Sequence, residues 1–400
     1  MSKNEELTGY GRQYLQNDTY GAAAFCFHRA IRENVSNENA WNGIILSLTL
    51  MKREADAQTM LARYGLLPQL GYDQDMLTFA VMLWRENPQA LAEWLNAVSS
   101  RQNVTETTRN TLTELSADVE KAYQELLAEY GEESLRAQGL FKLQEYASRQ
   151  TELDWTADNT PDAVYAQINE WLQDDDKVLT AVRLLCMLPD PRSEKLLRRV
   201  CRNEEMDPKA RTHALLALRW LGLRENVRIN KFKESFVINL ENPEPELTVS
   251  VPESFKPALD RMKLWYAKEQ GVVSAEEYEA FASTDEAEMP AELKEKMEKA
   301  DVPSILQEVV HALIRSAYDH YYPLVPTVTG SRDWSAAFVS LMKDYSEGIG
   351  EQWTMGEPER NETSGQHKNW LLSGSPDFYE SIAEAKKLRE FHQAAKAAQR

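Results

Sequence analysis

Two runs of equal length decide the fold: LTGYGRQYLQNDTYGAAAFCFHRA, residues 7–30, and WNGIILSLTLMKREADAQTMLARY, residues 41–64. They begin at Leu7 and Trp41, 34 residues apart. In the first, Leu7, Tyr10, Gly11, Tyr14, Tyr20, Ala23, Phe27 and Ala30 fall at the offsets that Trp41, Ile44, Ile45, Leu48, Glu54, Ala57, Leu61 and Tyr64 occupy in the second. Spacings of three and four residues put such positions on one face of a helix, so each run reads as two interlocking helices. Small Gly11, Ala23 and Ala57 let helices approach, while large Tyr14, Phe27 and Trp41 fill the space beside them. One helix pair cannot bury its own apolar face and needs neighbours to stack on.

Pattern and period resemble the tetratricopeptide repeat. A third, degenerate pair or cap follows from Pro68 to Ser99, with Met76, Phe79, Ala80 and Leu83, a turn at Asn87-Pro88, then Leu91, Ala92, Leu95 and Val98. The resemblance implies a groove lined by the first helix of each repeat, here Thr8, Arg12 and Leu15, then Asn39, Asn42, Leu46 and Thr49. Family members that grip a C-terminal carboxylate carry a lysine near the Thr8 position and asparagines near Arg12 and Gly43, so that clamp is absent. A different extended or helical peptide is expected instead, with Asn42 bonding its backbone and Arg12 its acids. The competing expectation is that later helices of the chain fill the groove.

Composition sets outer bounds. An apolar fraction of 42% with 27% charged residues is that of a folded protein, and 400 residues exceed one ordinary core. A formal charge of −19 works against general nucleic-acid binding, since phosphates would be repelled. Cys26, Cys186 and Cys201 make no Cys-x-x-Cys pair and read as small buried side chains in a reducing compartment. The N-terminal residues show no signal peptide, and the most apolar segment, Trp41 to Met51, is too short to span a bilayer. A cytoplasmic protein is expected, with no membrane association and no cofactor.

Read in order, residues 1–100 are the tetratricopeptide-like repeats and 101–160 a helical connector. The connector has an apolar stripe of Leu112, Leu115, Val119, Tyr123, Leu126 and Leu127, stops at Gly131 and Gly139, and a linker from Thr151 to Pro161. Residues 161–225 hold a second repeat: Asp174, Ala181, Leu184, Leu185 and Leu188 recur as Asp207, Ala214, Ala217, Leu218 and Leu221. The later copy, from Asp207-Pro208 through Arg211 to the Ala-Leu ladder, resembles a HEAT helix. That resemblance implies a structural Arg211 bonded to an aspartate of the adjacent unit. Lys195, Arg199 and Arg202 form a basic stripe opposite Leu196, Leu197 and Val200. The HEAT likeness places that stripe on a concave surface open to an acidic peptide or phosphate groups; a solvated face is the plain alternative. Residues 226–252 read as a hairpin, Val227–Phe232 and Ser235–Leu240 about Lys233-Glu234, then a Pro/Glu connector.

Residues 253–400 read as a helical C-terminal domain, with an acidic helix from Ser274 to Ser283, an amphipathic one from Pro303 to Tyr322, another capped by Asp333, and an Ala/Lys-rich tail. The Tyr318…Trp334…Leu341 arrangement resembles a segment that precedes a helix-turn-helix in some bacterial tetratricopeptide proteins. Gly348 to Pro376, however, shows no such motif. Glu308 and His311 have the spacing of di-iron helices, but a site needs a second copy and further glutamates. His320 lies too far along the helix to serve His311, and His28, His213, His367 and His392 follow no ligand spacing. The reading is an all-α chain, an α-solenoid of tetratricopeptide-like and HEAT-like hairpins with one short β-hairpin. Its expected role is non-catalytic: a scaffold or adaptor that binds a protein or peptide through Arg12, Asn42, Lys195, Arg199 and Arg202. The rivals are a regulator derived from a DNA-binding architecture and a metal enzyme with its site in the C-terminal helices.

Overall fold

Local capping chemistry starts the helices at the N-terminal end. Ser2 accepts from the Glu5 backbone N–H and Glu5 returns a carboxylate to the Ser2 N–H at 2.7 Å, opening α1 (Lys3–Gln16). After α2 (Tyr20–Glu33), Asn37 caps α3 (Glu38–Leu50) through the Ala40 N–H. Then α4 (Glu54–Leu66) leads to α5 (Gln74–Leu83), capped by Asp73, and α6 (Pro88–Ser99), capped by Asn87 with Pro88 in its first turn. In the computed structural model, which describes residues 2–282, 289–358 and 360–398 (for 282, 388 and 391–398 the backbone alone), the chain is mostly α-helical. It divides into two compact units, Met1–Asn242 and Pro243–Arg400.

In the first unit, each helix from α1 to α6 packs on its sequence neighbour, and α1 also meets α3. Phe27 sets that spacing. Its ring fills the room left by two glycines, so a Cβ on Gly11 would fall 2.7 Å from the ring and one on Gly43 2.3 Å. The expected pairing of small and large residues is therefore present as a direct contact. The long α7 (Glu106–Tyr130) lies on α6, burying Leu112, Ser116 and Tyr123, and Gly131 at φ +76° ends it.

Two short helices, α8 (Glu132–Ala137) and α9 (Leu143–Ala147), follow, and α9 packs on α4 and α6. The expected linker from Thr151 to Pro161 is instead largely helix, α10 (Glu152–Asp158), opened by a reciprocal Thr151–Asp154 cap. Its acids reach side chains of the first helices: Asp154 meets His28 Nε2 at 2.9 Å and Arg63 Nη1 at 2.8 Å, Glu152 takes Arg53 at 2.5 Å, and Asp158 takes Arg32 at 2.7 Å. Burial alone would raise the Asp154 carboxyl; the hydrogen bonds from His28 and the Thr151 N–H, with Arg63, outweigh it and hold it well below the usual carboxylate range.

Next come α11 (Pro161–Trp171), α12 (Val178–Leu185), α13 (Pro191–Arg202) and α14 (Pro208–Trp220); α11, α13 and α14 each open on a capping Thr or Asp followed by proline. This second set of helices folds back onto α2. Gly21 is the contact point: a Cβ there would sit 1.8 Å from the Cys186 carbonyl oxygen and 3.2 Å from that of Trp220. All three cysteines are free and buried, and burial pushes the Cys26 thiol up to about 11 and those of Cys186 and Cys201 to about 12.

The hairpin differs from expectation by one residue. Its strands are β1 (Asn226–Lys231) and β2 (Glu234–Asn239), paired antiparallel with Lys231 opposite Glu234. Phe232 and Lys233, both at positive φ, form the two-residue turn. The register follows from burial: Val227, Ile229 and Lys231 point inward on α13 and α14, and the Lys231 ammonium donates to Thr212 Oγ1 at 2.7 Å. Arg211 is buried as expected of a structural residue, but its partner is the Asn230 carbonyl of the hairpin at 2.6 Å, not an aspartate.

In the second unit, Tyr318 and Tyr322 donate to the carbonyls of Glu246 and Pro245, which ties down the Pro/Glu stretch. Its helices are α15 (Lys256–Glu269), α16 (Ala275–Ala282), α17 (Ala291–Glu298), α18 (Ser304–Tyr321), α19 (Ser331–Gly348), α20 (Glu362–Ser373) and α21 (Phe378–Ala398). The core centres on Trp334, which meets Phe255 and Trp370 edge-on and stacks on His367 at 3.8 Å. Ser283, Arg400 and the His392 side chain, named above, lie outside the described residues. Two details differ from expectation: Gly330 at φ +68°, not Asp333, precedes α19, and Ile305 points outward, 48% exposed. After Gly348 the chain forms α20, capped by Asn361.

Candidate protein-binding cleft

Helices α1, α3 and α5 share a face. Arg12 and Leu15 from α1, Asn39, Asn42 and Leu46 from α3, and Asp75, Thr78 and Phe79 from α5 line one cleft of about 430 Å³, with Phe27 and Gly43 in its wall. Arg12 and Asn42, far apart in sequence, are thereby brought together. Arg12 is exposed at the rim and Asn42 half-buried. Asn42 Nδ2 donates to the Asp73 carboxylate, which fixes the amide's orientation and leaves Oδ1 buried with no hydrogen-bond partner.

The other groove residues divide between use and packing. Thr8 is buried and spent: its hydroxyl donates to the Asn4 carbonyl and accepts from Asn37 Nδ2, both at 2.8 Å. Asp73, Asp75, Thr78 and Phe79 were missed as site residues, because the connection before α5 is longer and breaks the repeat register. The usable signal was Asp73-Gln-Asp75, an acidic cap at the head of the third first-helix.

Lys195, Arg199 and Arg202 are exposed along α13 and line no part of this cleft. Leu196, Leu197 and Val200 are buried behind them. Arg199 Nη2 reaches Asn169 Oδ1 at 3.3 Å, and Arg202 Nε donates to the Arg198 carbonyl at 3.0 Å. The five expected contact residues thus lie on two separate surfaces.

The C-terminal candidates are also placed. Glu308 is exposed, His311 is half-buried with burial pulling its pKa down, and the buried Asp319 pairs with Arg315. Among the described residues, no group of three or more His, Cys, Asp or Glu is arranged to hold a metal ion. No described helix is long and apolar enough to cross a membrane. Comparison of the chain with protein-family models, with curated proteins and with solved structures finds no match.

Proposed function

We propose that this protein is a non-catalytic, cytoplasmic protein-binding scaffold of helical-repeat type, tetratricopeptide-like at its N-terminal end and HEAT-like from residue 161 to 225. The cleft between α1, α3 and α5 takes an extended segment of a partner chain. One observation supports the reading: exposed Arg12 and half-buried Asn42, whose amide is oriented by Asp73, line one open cleft. The Asn42 amide bonds the backbone of the bound segment, an acidic side chain engages Arg12, and apolar side chains rest on Leu15, Leu46 and Phe79. The Lys195/Arg199/Arg202 face serves as a second contact for acidic sequence.

Affinity capture from the native cell with paired variants tests this. Arg12→Glu combined with Asn42→Ala is expected to abolish capture of partners held by wild type, and reversal of the three α13 charges to weaken it. Circular dichroism should be unchanged in both. Unchanged capture by the cleft variant would reject the site.

A further inference from the structure

A second cleft, of about 150 Å³, lies where α2, α10, α11 and the turn before α13 meet; its walls include Phe25, Val164, Tyr165 and Leu188. One cation faces it. Arg29, half-buried on α2, lies over the Phe25 ring at 5.1 Å and makes, among the described residues, no ion pair and no side-chain hydrogen bond. Burial, with Arg32 beside it, pulls the pKa of this guanidinium down and outweighs the opposite effect of Asp158, which is itself paired with Arg32.

The neighbouring polar groups are already engaged. Arg32 pairs with Asp158 at 2.7 Å. Asp190, which lines the cleft, spends both oxygens on the Arg192 side chain and one on its N–H, at 2.8–3.1 Å. Thr156 donates to the Leu153 carbonyl at 2.8 Å, and the Tyr165 hydroxyl meets Ser193 at 2.6 Å. Arg29 is left with open donors over apolar walls.

We propose that this cleft binds a small monocarboxylate whose apolar body is a single ring or a branched chain. The carboxylate takes the Arg29 fork side-on, and the body packs on Val164, Tyr165 and Leu188. The space suits one ring, since a dry cavity of about 150 Å³ holds benzene. One open cation and apolar walls favour a carboxylate over a phosphate, which would call for a second positive group. Because the walls come from both sets of helices, the ligand also fastens α2 to α11.

Fluorine NMR with para-fluorobenzoate as the probe and para-fluorobenzamide as its neutral counterpart provides the test. Line broadening by the unaltered protein is expected for the acid, with the amide about ten- to a hundredfold weaker, the worth of a charge-assisted bond. Arg29→Gln should abolish the acid's advantage, and Arg29→Lys should retain part of it. The acid–amide comparison uses the wild-type chain and does not depend on how a variant folds. Equal binding of acid and amide, no broadening at millimolar probe, or full binding by Arg29→Gln would overturn the assignment. So would binding of the tripeptide Gly-Gly-Phe through its free C-terminus with none of para-fluorobenzoate, because the ligand would then be a chain end.

Discussion

A methyl group added at Gly21 should loosen the attachment of the second helical set to the first, whereas the same change at Gly9 should not. At Gly21 the new carbon falls 1.8 Å from one carbonyl oxygen and 3.2 Å from another, on two different helical segments. Backbone cannot swing aside as a side-chain tip can, so the upper part of the overpacking range, about 1–3 kcal/mol, applies. Against this stands the alanine gain in a helix, about 0.8–1 kcal/mol. The net expectation for Gly21→Ala is a loss of about 2 kcal/mol. At Gly9, on the exposed side of α1, nothing lies within 4 Å of the added carbon, so Gly9→Ala should gain about 0.5–1 kcal/mol. Urea unfolding followed by circular dichroism, with hydrogen exchange of α2 and α12 to place the change in the first unit, reads both. If Gly21→Ala were as stable as wild type, or stabilised like Gly9→Ala, then α2 would not lie against the Cys186 and Trp220 carbonyls and the folded-back arrangement would be wrong.

Other expectations follow from the same geometry. Gly43→Ala drives a carbon to within 2.3 Å of Phe27, so it should cost about 1–3 kcal/mol in urea unfolding and narrow the partner cleft. Asp154→Asn removes the charge that His28 and Arg63 share and should cost about 2 kcal/mol. Because folding depresses the Asp154 pKa, its contribution is complete at neutral pH and is lost as pH falls below the ordinary carboxylate value of about 4. The acid limb of a stability–pH curve should therefore be shallower in Asp154→Asn than in wild type. Charge reversal at Lys195, Arg199 and Arg202 should leave the melting temperature nearly unchanged, since all three side chains are exposed.

Helix positions were legible wherever local chemistry sets them. Asn37, Asp73, Asn87 and the Thr/Asp–Pro pairs mark helix starts through bonds within three residues, so no tertiary knowledge is needed. That Arg12 and Asn42 share one cleft was legible because the two runs share one register. Features set by distant contacts were not legible. The stretch around Asn159-Thr160-Pro161 looks like a linker until Asp154 and Asp158 meet cations of α2 and α4, and no window of sequence contains both sides. The hairpin turn settles on Phe232-Lys233, against the bulk of Phe232, because the register that buries Ile229 places Lys231 beside Thr212. Arg29 drew no attention because its significance is the absence of a partner in space.

Whether the α1–α3–α5 cleft receives another protein chain can be read in living cells from a photocrosslinking side chain at Asn39, compared with one at exposed Lys121 on α7. Adducts from position 39 should map to one segment of a partner protein, disappear with Arg12→Glu, and be absent from position 121. Adducts at neither position, or adducts from position 39 that survive Arg12→Glu, would contradict the proposed site.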